Sequence, residues 1–211
     1  DGRVEQVFAP GSPVTDQSIR EILLQTLASP ATLRASAADA ARPGHERDVA
    51  RFTLLHKDLT TGAYADFTRD LALVPATANV DGGMWDFARQ DSIPAGIFAR
   101  GRWSDGFACP ALAQTAATLA RTPADARARL CLGDFWRLNG FDDFALYAPG
   151  DGAMVLGKGT SQFPGRALSR DMIYAAIIAD KAAAPDLRAY ALYRAIRCYA
   201  PSGNNGCAGP A

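Results

Sequence analysis

The chain has 211 residues, 48% of them hydrophobic and 21% charged, and its 22 basic and 22 acidic side chains leave no formal net charge. This composition is too apolar for a disordered segment and lacks the run of about 18 apolar residues that a membrane helix needs; zero net charge removes the electrostatic argument for a nucleic-acid or anionic-membrane partner. A chain of this length forms one domain of ordinary size, so the expected organisation is an extended arm over 1–14 and a single helical domain over 15–211, with 15–75 and 109–207 as candidate sub-lobes.

The arm carries Pro10, Gly11 and Pro13. Thr15 or Asp16 then caps a helix over 17–28, whose Ile19, Leu23, Leu24 and Leu27 lie on one face. Ser29-Pro30 opens a second helix over 31–41, which stops at Arg42-Pro43-Gly44. A third, over 45–59, aligns Val49, Phe52, Leu55, His56 and Leu59, and a fourth runs from Tyr64 to Val74 before Pro75. From about 76 to 108 the periodicity weakens. Glycines and prolines accumulate there alongside Trp85, Phe87, Trp103 and Phe107, which predicts a long irregular loop packed on the helices.

Cys109 to Arg121 reads as a helix with Pro110 in its first turn. Thr122-Pro123-Ala124-Asp125 resembles a capping box that opens the next helix, so the two fold back as a hairpin. That next helix holds Leu130, Gly133, Trp136 and Leu138 at near-helical spacing and ends at Asn139-Gly140. Residues 145–156 resemble a short β-hairpin around Pro149-Gly150-Asp151-Gly152. Ser169 caps a helix over 170–179, and Pro185-Asp186 opens a last one through Tyr199. The fold class expected is therefore mainly α, with seven to eight helices in antiparallel hairpins.

Cys109, Cys131, Cys198 and Cys207 fall into two local pairs. Cys109 lies 13 residues before Thr122 and Cys131 nine after it, so at 1.5 Å per helical residue their heights differ by about 6 Å and a bridge is geometrically reasonable. A metal centre would need a close pair such as Cys-x2-Cys, which is absent. Two disulfides belong in an oxidising space, here the periplasm or the exterior of a bacterial cell. Arginine far outnumbers the three lysines, Lys57, Lys158 and Lys181, as GC-rich bacterial genomes encode. The start at Asp1, with no methionine or signal-peptide pattern, and the end at Gly209-Pro210-Ala211 are those expected of a processed chain or a fragment.

Catalytic signatures are missing, and no catalytic residue is assigned. Residues 152–159 have the glycines and lysine of a phosphate-binding loop, but Gly159 stands where the magnesium-binding hydroxyl should be. His45 and His56 would lie about 16 Å apart along a helix, too far for one metal or dyad. Asp142 and Asp143 offer paired carboxylates. With Trp85, Phe87, Trp103 and Phe107 they form the candidate binding surface, the aromatics being suited to stacking on protein or glycan.

Leu132-Gly133, Trp136, Gly140 and Ala145 resemble the first half of a tetratricopeptide repeat, and Ala189, Tyr193 and Pro201 the second half of another. Pro149 interrupts the first fragment, and no regular period joins the two. The resemblance covers about a quarter of the chain and implies antiparallel helical pairs with an interaction function. The function expected is a non-catalytic, extracytoplasmic binding or assembly module with a protein partner or self-assembly, and no cofactor. The alternative is an envelope glycan or peptidoglycan hydrolase or lyase with Glu21 or Glu46 as general acid.

Overall fold

The computed structural model describes residues 3–80, 93–143, 146, 159–201 and 207. Among them are ten α-helices and no strand, so the chain is mainly helical. The predicted β-hairpin over 145–156 lies outside the described residues apart from Leu146.

Local chemistry accounts for most helix starts. In α2 (Gln17–Thr26) the Asp16 carboxylate accepts from the Ile19 amide, and in α3 (Pro30–Ala38) the Ser29 hydroxyl accepts from Thr32. The helix predicted to open at Thr122-Pro123 instead begins after Asp125, whose side chain caps the Ala128 amide. Thr122 is engaged in ending the preceding helix, α7 (Leu112–Arg121), through its amide bond to Thr118. Asn139 closes α8 (Ala126–Leu138), with Gly140 in the left-handed region at φ 72° as predicted.

The amino-terminal stretch differs from the expected extended arm. Residues Arg3–Val7 form a short helix, α1, and Phe8 is buried between two guanidinium groups, 4.9 Å from Arg20 and 5.6 Å from Arg42. The same arginines donate to the Val7 and Phe8 carbonyls at 2.7 and 2.6 Å. Long-range docking thus organises residues whose local signals indicate only turns.

Two helices carry the core. In α4 (Gly44–Thr60) every residue from Val49 to Thr60 is buried, because α2, α3 and α5 (Tyr64–Asp70) pack around it. In α8 every residue from Leu130 to Leu138 is buried. A 3-10 turn at Phe141–Asp143 joins the two: the Phe141 ring lies 4.7 Å from His56 of α4, 5.2 Å from Phe135 and 6.3 Å from Trp136. One cluster of buried side chains extends from Phe8 to Cys207 and spans both candidate sub-lobes.

The expected long loop holds a short helix, α6 (Ile97–Arg100), and α5 continues into a 3-10 turn, Leu71–Leu73. Gly96 donates to the Asn79 carbonyl at 2.8 Å, and a Cβ there would stand 2.4 Å from the Ala78 oxygen, so only glycine permits this crossing. The chain finishes with an antiparallel pair, α9 (Arg170–Ala179) and α10 (Pro185–Ile196). This pair packs on α8 through Gly133, where a Cβ would meet the Tyr174 ring at 3.1 Å. Gly133 therefore admits a close neighbour.

Candidate functional site

Both local cysteine pairs are disulfides. Cys109–Cys131 ties the start of the α7 segment to α8 with Cα atoms 5.5 Å apart, and Cys198–Cys207 closes the chain beyond α10 with Cα atoms 5.2 Å apart. The second bridge is anchored to α9: Asp171 donates its amide to the Cys207 carbonyl at 3.1 Å, and Arg170 donates to the Cys198 carbonyl at 3.3 Å.

The described candidate binding residues, Trp103, Phe107 and Asp142, are largely engaged by the protein itself. Trp85 and Phe87 lie outside the described residues. Trp103 and Phe107 line an open depression of about 400 Å³ with Ser104, Gly106, Ala108 and Cys109, but both rings are half-buried against the core. The Phe107 ring is also covered, stacked 4.6 Å from Tyr190 with Arg127 5.0 Å away. Asp142 is a structural anion, because Arg170, fully buried, donates Nε to it at 2.6 Å. Asp143 ends the 3-10 turn, and its side chain is outside the description.

The two glutamates proposed as acids are buried in different company. Burial alone would raise the Glu46 carboxyl, but hydrogen bonds from Arg20 (2.8 and 2.9 Å) and Arg42 (2.7 Å) outweigh it and hold the group ionised below its ordinary range. Glu46 is thus unsuited to donating a proton. Burial raises Glu21, a shift partly offset by the Gln17 amide at 2.7 Å and by His45 at 3.4 Å. Glu21 is absent from the lining of the nearby depression of about 370 Å³, which Gln17, Arg20, Arg42 and Glu46 border. His45 contacts Glu21. His56 is fully enclosed: burial, then the Lys57 charge, lower its pKa to about 3, against a backbone hydrogen bond at Phe141. Among the described residues no group of three His, Cys, Asp or Glu side chains is placed to hold a metal ion.

A feature absent from the sequence-based expectations lies on α9 and α10. Five of the six exposed large hydrophobic side chains among the described residues are Met172, Leu192, Tyr193, Ile196 and Tyr199, the sixth being Val80. On α9, Met172, Ala175, Ala176 and Ala179 are exposed; on α10, Ala189, Leu192, Tyr193 and Ile196 are exposed. Both sets follow the i, i+3, i+4, i+7 pattern that normally marks the side of a helix packed on protein. In α9 the opposite side, Ile173, Tyr174 and Ile177, is also apolar and is buried. Between Asp171 and Asp180 this helix has no charged residue.

α10 is apolar on both sides, with Leu187, Tyr190 and Ala191 packed on the core and Leu192, Tyr193 and Ile196 exposed. Arg194 is 7% exposed whereas Ile196 is 82% exposed. A polar network holds the helix in this orientation: Tyr190 donates its hydroxyl to Asp134 at 2.7 Å, Arg194 reaches Asp134 at 3.3 Å and Asp105 at 3.1 Å, and Arg137 pairs with both aspartates. Asp134 is fully buried, so its charge requires these cations. Burial, and then its bond to Asp134, raise the Tyr190 phenol and keep it a donor.

Fold and site together define a mainly helical protein closed by two disulfides, with no helix among its described residues long and apolar enough to cross a membrane. No protein-family model, curated protein or solved structure matches the chain.

Proposed function

We propose that the chain is an extracytoplasmic binding and assembly module of a bacterial envelope or secreted protein, and that it docks a helical protein surface on the outer side of α9 and α10. The exposed apolar stripe of α9 and α10 carries the reading, since a face of methionine, leucine, tyrosine and isoleucine favours a partner over solvent. Half of a tetratricopeptide-like pattern falls on this same hairpin, in Ala189 and Tyr193, and repeats of that kind stack each helical pair on the next. The two disulfides support a site of action outside the cytoplasm.

The test is a photo-crosslinking residue placed at Ile196, with Arg121 on α7 as the exposed control, in cells that make the protein. A discrete adduct at 196, absent at 121 and lost on Leu192→Asp, supports docking here. No adduct at 172, 192 or 196 overturns it. A glycan or peptidoglycan hydrolase or lyase is the second reading. It rests on Glu21 alone, whose buried carboxyl is raised as a general acid requires. Cleavage of peptidoglycan by the protein and not by Glu21→Gln would favour that reading, and equal inactivity of both would remove it.

A further inference from the structure

We infer that the occupant of the α9–α10 face is a second copy of this chain, related by a two-fold axis parallel to the helices; this rests on the docking face proposed above. Such an axis places α9 of one copy over α10 of the other, antiparallel, and brings turn end against turn end. The residues that then meet are complementary in size. In the hairpin α9 starts beside the end of α10, and the exposed stripes differ in size: Ala175, Ala176 and Ala179 on α9 are small, whereas Leu192, Tyr193 and Ile196 on α10 are large. Across the axis the large side chains of one α10 lie over the small ones of the other copy's α9, which lets the two helices approach closely.

The charges at the two ends follow the same rule. Asp171 at the start of α9 faces Arg197 at the end of the other copy's α10, and Lys181 beyond α9 faces Asp186 at the start of the other α10; all four residues are exposed. Symmetry makes each pair twice. The signs also suit the helix termini, with acids at amino ends and bases at carboxyl ends. Rotating the copy about the perpendicular in-plane axis would instead lay α9 on α9, alanine on alanine, and leave the α10 side chains without holes. The face is two short helices wide, small for a permanent dimer, so the dissociation constant expected is about 1–100 µM.

Sedimentation equilibrium of the disulfide-bonded 211-residue chain between low micromolar and several hundred micromolar concentration tests this, with melting temperatures confirming that each variant is folded. The dimer should form across that range and disappear in Leu192→Asp/Ile196→Asp. Lys181→Glu should weaken it about 3–30-fold, from two lost pairs and the repulsion that replaces them, and Lys181→Glu/Asp186→Lys should restore it to within about twofold. A dimer that survives Leu192→Asp/Ile196→Asp, or a double charge variant no tighter than Lys181→Glu alone, overturns the inference. A chain that stays monomeric while Ile196 still crosslinks to a protein of different mass overturns the second copy and leaves the docking face standing. Monomer with no crosslink ends both.

Discussion

Asp58 on α4 offers a sharp test of how the core handles its charges. It is 1% exposed, and burial, followed by the charges of Asp70 and Asp66, raises its carboxyl to about 8. His56, two residues earlier, is lowered to about 3. The two groups act in opposite directions on stability. Between the unfolded histidine pKa of about 6.5 and the folded value, the unfolded chain holds the extra proton, so stability falls as pH falls. Between the unfolded aspartate pKa of about 4 and the folded value, the folded chain holds the extra proton, so stability falls as pH rises. From pH 5 to 6.5 these slopes cancel, and the native protein should show a nearly flat profile. Asp58→Asn removes one of them. Its stability should then drop by about 1.4 kcal/mol per pH unit on acidification, or about 2 kcal/mol across that window, while at pH 7 it exceeds the parent by about 2–4 kcal/mol. Urea denaturation followed by circular dichroism at half-unit pH steps measures both quantities. Parallel profiles for parent and variant between pH 5 and 6.5 would refute the reasoning.

Four other substitutions probe the scaffold. Trp136→Ala removes a 1% exposed indole stacked on Phe141 and should cost about 3–5 kcal/mol in denaturant unfolding. Replacing Cys109 and Cys131 by alanine opens a bridge between residues 22 apart and should cost about 3 kcal/mol, measured as a lowered melting temperature. Glu46→Gln leaves Arg20 and Arg42 without their carboxylate and should cost about 2–3 kcal/mol, with earlier proteolysis in the 3–14 segment those arginines hold. Asp134→Asn strips the charge that orients α10 and should cost about 3 kcal/mol while weakening association through Leu192 and Ile196, read by sedimentation.

Much of the helical framework was legible because its signals are local. Asp16, Ser29, Pro185 and Asn139-Gly140 mark boundaries by chemistry confined to one turn, and the cysteine pairs follow from spacing along a short hairpin. What was missed depends on contacts distant in sequence. Residues 3–7 are helical beside Phe8, which two arginines from α2 and the segment before α4 enclose. His56, Lys57 and Asp58 are consecutive and cannot share one face of a helix, yet all three are buried because α4 is covered on every side. The local pattern gave Asp142 as a carboxylate for a ligand, while its cation, Arg170, lies 28 residues away.

The orientation of α10 shows why the exposed apolar stripe was hidden in the sequence. Periodicity identifies a stripe of apolar residues, but it does not say which of two stripes a helix turns toward its own core. In α10 both Leu187, Tyr190 and Ala191 on one side and Leu192, Tyr193 and Ile196 on the other are reasonable core faces. The choice is made by Asp134 and Asp105, 60 and 89 residues from Arg194, which need its charge at the buried side. Burying one isoleucine alone contributes about 1.5–3 kcal/mol, but the opposite rotation would bury Ile196 and its neighbours only by exposing Leu187, Tyr190 and Ala191. The ion network that fixes this rotation keeps the apolar stripe of α10 exposed beside that of α9, which is the arrangement the proposed docking uses.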